Sequence, residues 1–360
     1  MATTPNILVE IATRHQVHLE RLKTGAQGEF DQFLRQMQRD IIRQLSEIED
    51  MGSLRGRRLN RLLKAVRETL SAGFGNYEAV WRQQLEDLAE YEGGFEVRNL
   101  QRLFGVDFTL PSPSQMVTAA FAKPLSVQGI DQGALLQSFF DGWTDKTFRR
   151  VEGAIRLSAA QGESLTQAIR RLRGTRARNY RDGLFQATRR DMAMLVRTSM
   201  QHVAVQAKEA VWSRNNDIIQ GVEWASVLDG KTSTICRSLD GQMFPVDEGP
   251  RPPAHTACRS VTVPRVRDGL SILGKKGQQT ARGADGIESV AANKDYYQWL
   301  KTQPAAFQDS VIGPERGKLL RDGGLSAERF RALQLDRNFR PLTLEQMREL
   351  EPAAFEAAGV

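Results

Sequence analysis

Apolar residues recur at helical spacing along the first hundred positions. Ile7, Ile11, His18 and Leu22 mark one stripe, and Gly25 and Gly28 interrupt it. A longer stripe follows through Phe30, Phe33, Leu34, Met37, Ile41, Leu45 and Ile48. Gly52-Ser53 punctuates the chain before Leu59, Leu62, Leu63, Val66 and Leu70 begin a third helix. Gly73 and Gly75 are expected to break that helix, Tyr77, Trp81, Leu85 and Leu88 to resume it, and Gly93-Gly94 to end it. The pattern predicts a helical hairpin or small bundle over residues 1–105. Its apolar stripe is thin, which favours packing against copies or partners.

Val106–Pro113 is extended and ends in prolines, which makes it the best boundary. A helical connecting region is expected over 106–184. It holds a short helix near 114–122, one from Asp131 to Ala160, and one capped by Ser164. A long helix over Ala187–Asn215 then enters a stretch of a different kind. From Gly221 to Pro264 the chain concentrates Gly, Pro, Asp and both of its cysteines, with turns at Asp229-Gly230 and Asp240-Gly241. This predicts a compact β-rich knot in a unit spanning 185–266. Residues 267–292 are Gly-, Lys-, Arg- and Gln-rich with little apolar period, and read as a mobile basic arm. A helical tail over 293–360 completes a mainly α chain with a small β-rich knot, an α+β protein with an elongated helical N-terminal part. In the tail, Thr343 followed by Glu345 and Gln346 supports a helix start, whereas Ser326 with Arg329 at the third helical position is no capping box.

The composition of the 360 residues, 40% hydrophobic and 26% charged, is that of a globular protein. No apolar run is long enough to span a bilayer, and Met1-Ala-Thr-Thr-Pro5 lacks the order of a secretory signal, so the chain is expected to be made in a cytoplasm. Two cysteines in a reducing compartment argue against a disulfide scaffold. The formal charge of +7 permits contact with an acidic surface. The excess is clustered in Arg55, Arg57, Arg58 and Arg61, and again in Arg170, Arg171, Arg173, Arg176, Arg178 and Arg181. The second group is a candidate for contact with nucleic acid or with an acidic protein surface, against the plainer reading of a solvated face. His15 and His18 lie on the first helix with no carboxylate in pattern and read as a surface or interface pair.

Within the knot, Cys236, His255 and Cys258 offer soft donors suited to Zn²⁺, with Asp229 or Asp240 as a fourth ligand. The plainer reading buries both cysteines as small apolar residues, hydrogen-bonds His255 to a loop carbonyl and pairs Arg259 with Asp229. A nucleophilic cysteine activated by His255, or a hydrolase on Asp229, His255 and Arg259, is the catalytic alternative. Trp224 and Phe244 are expected to fill the knot's core.

The order Trp224, Asp229, Thr232-Ser233, Cys236, Leu239-Asp240-Gly241, Pro252-Pro253, His255, Cys258-Arg259 and Thr262-Val263-Pro264 resembles the phage head morphogenesis domain of the minor head protein family, which includes the Mu F-like proteins. Arg197-Thr198 on the preceding helix is similar to a pair in that family. So are Tyr297-Gln-Trp299-Leu300 and Gly313-Pro314-Glu-Arg316-Gly317 in the tail, and the likeness is best over residues 185–340. The resemblance implies a structural protein of a tailed bacteriophage head, without catalysis. It would lie in the capsid interior near the portal, with portal, major capsid or scaffold protein as partners. Packaged DNA and self-association through the helical arm are further contacts, and no membrane is involved. Members with a full ligand set carry a cysteine where this chain has Ser233, so no cofactor is expected, with zinc at Cys236, His255 and Cys258 as the exception. A metal-dependent nuclease or hydrolase seated in the knot, and a DNA-binding protein ejected with the genome, are the alternatives.

Overall fold

A computed structural model describes residues 6–128, 133–267 and 277–360. Helices α1 (Asn6–Ser46) and α2 (Gly56–Phe104) form a long antiparallel pair joined by a single 3₁₀ turn, Met51–Ser53. Then come α3 (Pro113–Ala122), α4 (Leu136–Ala160), α5 (Leu165–Arg173) and α6 (Leu184–Arg214). Asp131, the expected start of α4, lies outside the described residues.

The glycines expected to break the first helices do not break them. Gly25 and Gly28 lie within α1, and Gly73, Gly75, Gly93 and Gly94 within α2. A glycine costs a helix only about 1 kcal/mol, and packing along the whole length outweighs that. Two of them also admit a neighbour. A Cβ on Gly73 would stand 2.3 Å from the Met37 side chain, and one on Gly93 would stand 2.1 Å from Met116 Sδ.

The first hundred residues are not a self-contained arm. Leu34, Met37 and Ile41 of α1 share one core with Leu70, Trp81 and Leu85 of α2, Phe140 and Trp143 of α4, and Leu195, Val196 and Val203 of α6. The stripes of α1 and α2 are narrow because the other helices of the same chain complete them.

After α6 the chain builds β1 (Ile219–Ala225), β2 (Leu228–Asp229), α7 (Thr234–Leu239), β3 (Met243–Phe244) and β4 (Val261–Val266). β1 is the centre of an antiparallel sheet, with Val222 opposite Phe244 on one side and Trp224 opposite Thr262 on the other. This sheet packs on the α1 N-terminus and the α2 C-terminus through Leu8, Val9, Leu100 and Phe104.

Residues 278–291, expected to be part of a mobile arm, form an ordered hairpin of β5 (Gln278–Gly283) and β6 (Gly286–Ala291). β2 adds to it in parallel, with Leu228 opposite Ala281. The hairpin was hidden because backbone pairing orders it, while its inner face buries only two apolar side chains, Ala281 and Val290, beside the polar Gln279. Residues 268–276 of the expected arm lie outside the described residues.

The tail folds as α8 (Tyr296–Leu300), α9 (Ala305–Ile312), α10 (Pro314–Asp322), α11 (Ala327–Ala332), α12 (Leu344–Leu350) and α13 (Pro352–Ala358). Ser164 and Thr343 cap α5 and α12 with reciprocal boxes. The tail helices enclose a core of Tyr296, Tyr297, Trp299, Phe330 and Phe355 that also takes in Leu228 of β2 and Ala281 of β5. Among the described residues, no helix is long and apolar enough to cross a membrane.

Candidate functional site

Short elements hold the knot in place. Ser233 caps α7, its Oγ accepting from the Cys236 amide at 3.3 Å, and this sets Cys236 facing inward. Gly241 follows at φ +74°, a left-handed turn that suits glycine. Its amide then donates to the Trp224 carbonyl at 2.8 Å. The Trp224 ring packs with Cys236, Leu239, Ala254 and Cys258, and its indole N–H donates to Ser226 Oγ at 2.9 Å. Phe244 is half-buried beside them. The loop to His255 and Cys258 is fastened to α6, where the Ala257 amide donates to Thr198 Oγ1 at 3.1 Å.

These supports bring together the three soft donors picked out in the sequence. Cys236 Sγ lies 3.2 Å from His255 Nε2 and 3.5 Å from Cys258 Sγ. All three donor atoms lie within 4.8 Å of one another. His255 Nδ1 lies 2.9 Å from the Thr256 carbonyl, which can only accept. That keeps a proton on Nδ1 and turns Nε2 toward the sulfurs.

The thiols diverge in acidity. Burial pushes the Cys236 thiol well up, and Cys258 beside it adds to the rise. Burial alone would also raise Cys258, but hydrogen bonds from Cys236 and His255 outweigh it and hold that thiol well below its usual range. Burial would lower His255, yet Cys258 raises it. The arrangement favours a thiolate at Cys258.

A two-sulfur, one-nitrogen set with both sulfurs buried and the imidazole part-buried fits Zn²⁺ as a three-residue centre. The proposed carboxylate ligands do not join it. Asp229 accepts both arms of the Arg259 guanidinium at 2.7 and 2.9 Å, together with the Lys231 amide at 2.9 Å. Burial would raise the Asp229 carboxyl, but the Arg259 fork outweighs that and holds it below the usual carboxylate range. Asp240 accepts the Ser226 amide at 2.6 Å and the Tyr296 amide at 2.7 Å. Both aspartates serve turn and tail geometry, as Asp-Gly chemistry favours. Both sulfurs are fully buried. A cleft of about 270 Å³ between α1 and the second sheet is lined by Asp229 and Arg259 and by none of the three donors.

One neighbour of the knot escaped the sequence reading. Lys23 of α1 is fully buried and bonded to Glu20 at 2.6 Å and to Gln201, whose amide reaches the Ser260 carbonyl at 2.8 Å. Arg197 completes the cluster through Glu20. The signal was its position, since Lys23 falls in the stripe of Leu19, Ala26 and Phe30. His15 is likewise no surface residue; it is buried against Glu92 at 2.7 Å, and Lys208 holds the other carboxylate oxygen at 3.0 Å.

The second arginine group divides. Arg171 is tied to Glu163, whereas Arg170, Arg173, Arg176, Arg178 and Arg181 are exposed.

Residues 149–263, from within α4 to within β4, match the family described as Phage Mu protein F like protein. The match begins earlier than the resemblance read from the sequence and stops before the tail. No curated protein and no solved structure matches the chain.

Proposed function

We propose, from the match of residues 149–263 to the Phage Mu protein F like family, that this chain is a minor structural component of a tailed-phage head. It acts in capsid assembly near the portal, with portal, major capsid or scaffold protein as its partner and packaged DNA as a further neighbour. The observation that carries the proposal is the extent of the match: it spans the helix that completes the bundle core together with the whole Cys/His knot. A role in assembly agrees with a knot whose polar groups are spent on holding turns. The aspartates bind an arginine and backbone amides, the serines cap and bridge, and the sulfurs are closed off from solvent.

The second reading, a metal-dependent hydrolase, draws on the convergence of Cys236, His255 and Cys258. A bound zinc would there act as a cross-link between α7 and the loop before β4. An enzyme would also need a place for substrate at the metal, and burial of both sulfurs favours the cross-link.

The test is the protein content of purified virions. The proposal expects the chain in mature heads at low copy relative to major capsid protein, and heads assembled without it to be defective in infection. Its absence from both mature heads and assembly intermediates would overturn the proposal.

A further inference from the structure

The two arginine groups, more than a hundred residues apart in sequence, arrive at one end of the helical body. Gly52, in the turn between α1 and α2, lies against Gly162, in the turn between α4 and α5; a Cβ on Gly52 would stand 3.3 Å from the Gly162 Cα. Arg55, Arg57, Arg58 and Arg61 surround the start of α2 just beyond the first turn, all exposed. The nine residues of α5 span only about 14 Å, at about 1.5 Å per residue. Arg170, Arg173 and the loop beyond them are therefore close to the second turn. None of these arginines forms an ion pair with a carboxylate among the described residues; Arg171, bound to Glu163, is the exception in its group. The acids at this end are fewer. Glu47 and Glu49 are exposed, and Asp50 accepts the Gly52 amide.

The loop from Gly174 to Gly183 is a built display. Asp182 accepts the Thr175 amide and hydroxyl, each at 2.8 Å, and closes the loop at its base. Gly174 and Gly183 meet there, where a Cβ on Gly183 would stand 2.4 Å from the Gly174 nitrogen. Asn179 and Tyr180 turn the tip with φ of 49° and 59°. Arg173 lies 4.9 Å over the Tyr180 ring and donates to its hydroxyl at 3.0 Å. A cleft of about 590 Å³ opens between this loop and α5, flanked by Arg170, Arg173 and Arg176.

We propose that this end of the helical body is a single docking face for the phosphate backbone of duplex DNA, gripped jointly by the arginines of the α2 start and those of the α5–α6 loop. The proposal deepens the head-protein reading and rests on it only for the statement that the duplex is packaged DNA. A protein partner is the less fitting occupant. Protein interfaces centre on buried aromatic and aliphatic anchors. The large apolar side chains left exposed at this end are only Leu157, in the last turn of α4, and Tyr180, which Arg173 already covers. Guanidinium groups held apart on a fixed loop and a helix start suit repeated phosphates.

The test is binding of the full-length protein to short DNA duplexes of two unrelated sequences, followed as salt rises. Wild type should bind both alike, with affinity falling steeply. Two variants, one with Arg55, Arg57, Arg58 and Arg61 and one with Arg170, Arg173, Arg176 and Arg178 changed to Gln, should each flatten the salt dependence. The loss should be about 0.9 in the log–log slope per phosphate contact removed, with affinity down at least about ten-fold. Matching Lys variants should restore the slope, and circular dichroism should show an intact fold throughout. An Arg337→Gln/Arg340→Gln variant in the tail should behave as wild type. The proposal is overturned if duplex binding is absent or insensitive to salt, if one group alone carries the whole slope, or if the tail variant matches either quadruple. Variants that bind DNA normally yet fail to enter heads would also overturn it, in favour of an acidic protein surface. A chain found in heads that binds no duplex leaves the head-protein proposal standing and removes this one; duplex binding by a chain absent from heads does the reverse.

Discussion

At Ser233 one oxygen stands where a full ligand set would have a sulfur, and it is occupied with the α7 amide. A neutral hydroxyl is a far weaker zinc ligand than a thiolate. Protein purified under reducing conditions is therefore expected to hold less than one zinc per chain by elemental analysis, and Ser233→Cys should raise that content and the Tm together. One firmly held zinc in the wild type would show that three donors suffice. His202 gives a second test. It is buried on α6 with Nε2 3.0 Å from the Ala120 carbonyl, and loss of hydration lowers its pKa to about 4. The unfolded chain takes up the proton near pH 6.5 while the folded chain refuses it. Stability should then be full above about pH 6.5 and fall as pH drops toward 4, by about 3 kcal/mol in all. Urea titrations of His202→Gln should lose that part of the slope; an unchanged slope would place the pH dependence elsewhere.

Among the helices, glycines that look alike in sequence should respond oppositely to alanine. Gly25, Gly28 and Gly75 face open space, so alanine should stabilise each by about 0.5–1 kcal/mol. Gly73→Ala and Gly93→Ala force a methyl into Met37 and Met116, and the strain of about 1–3 kcal/mol should exceed the helical gain. Thermal melting of the five single variants decides the matter. The same contrast shows how far the elements could be read. Periodicity found the helices because apolar stripes mark buried faces, but it misplaced the face at the start of α1, where His18 and Leu22 are exposed and Leu8, Leu19 and Lys23 are buried. It missed their continuity, because whether a glycine ends a helix depends on what packs across from it. Turn chemistry found the knot, and residue type found Cys236, His255, Cys258 and the Asp229–Arg259 pair. Nothing local could show that Asp240 is turned to the Tyr296 amide, or that the hairpin at 278–291 adds to β2, since both depend on segments far along the chain.

The molecule as a whole is more tightly interlocked than the family match suggests. That match ends at Val263, yet Leu228 lies in the tail core, Tyr296 Oη donates to the Asp229 carbonyl at 2.7 Å, and Arg331 donates to the Asp240 carbonyl at 2.9 Å. A chain ending at Ala292 should therefore lose the knot's ordered aromatic environment in near-ultraviolet circular dichroism while keeping most of its helix. A truncated chain with a native-like spectrum would show that the knot folds without the tail. The long helices have a consequence of another kind. At 49 residues, α2 extends for about 73 Å, with the arginine-rich start at one end and the knot at the other. With a partner on each tip, such a rod would serve as a strut, holding one at a set distance from the other and carrying load between them along its axis. Lengthening α1 and α2 by matched turns would leave both tips chemically unchanged and alter only the span, so that reach could be tested apart from grip.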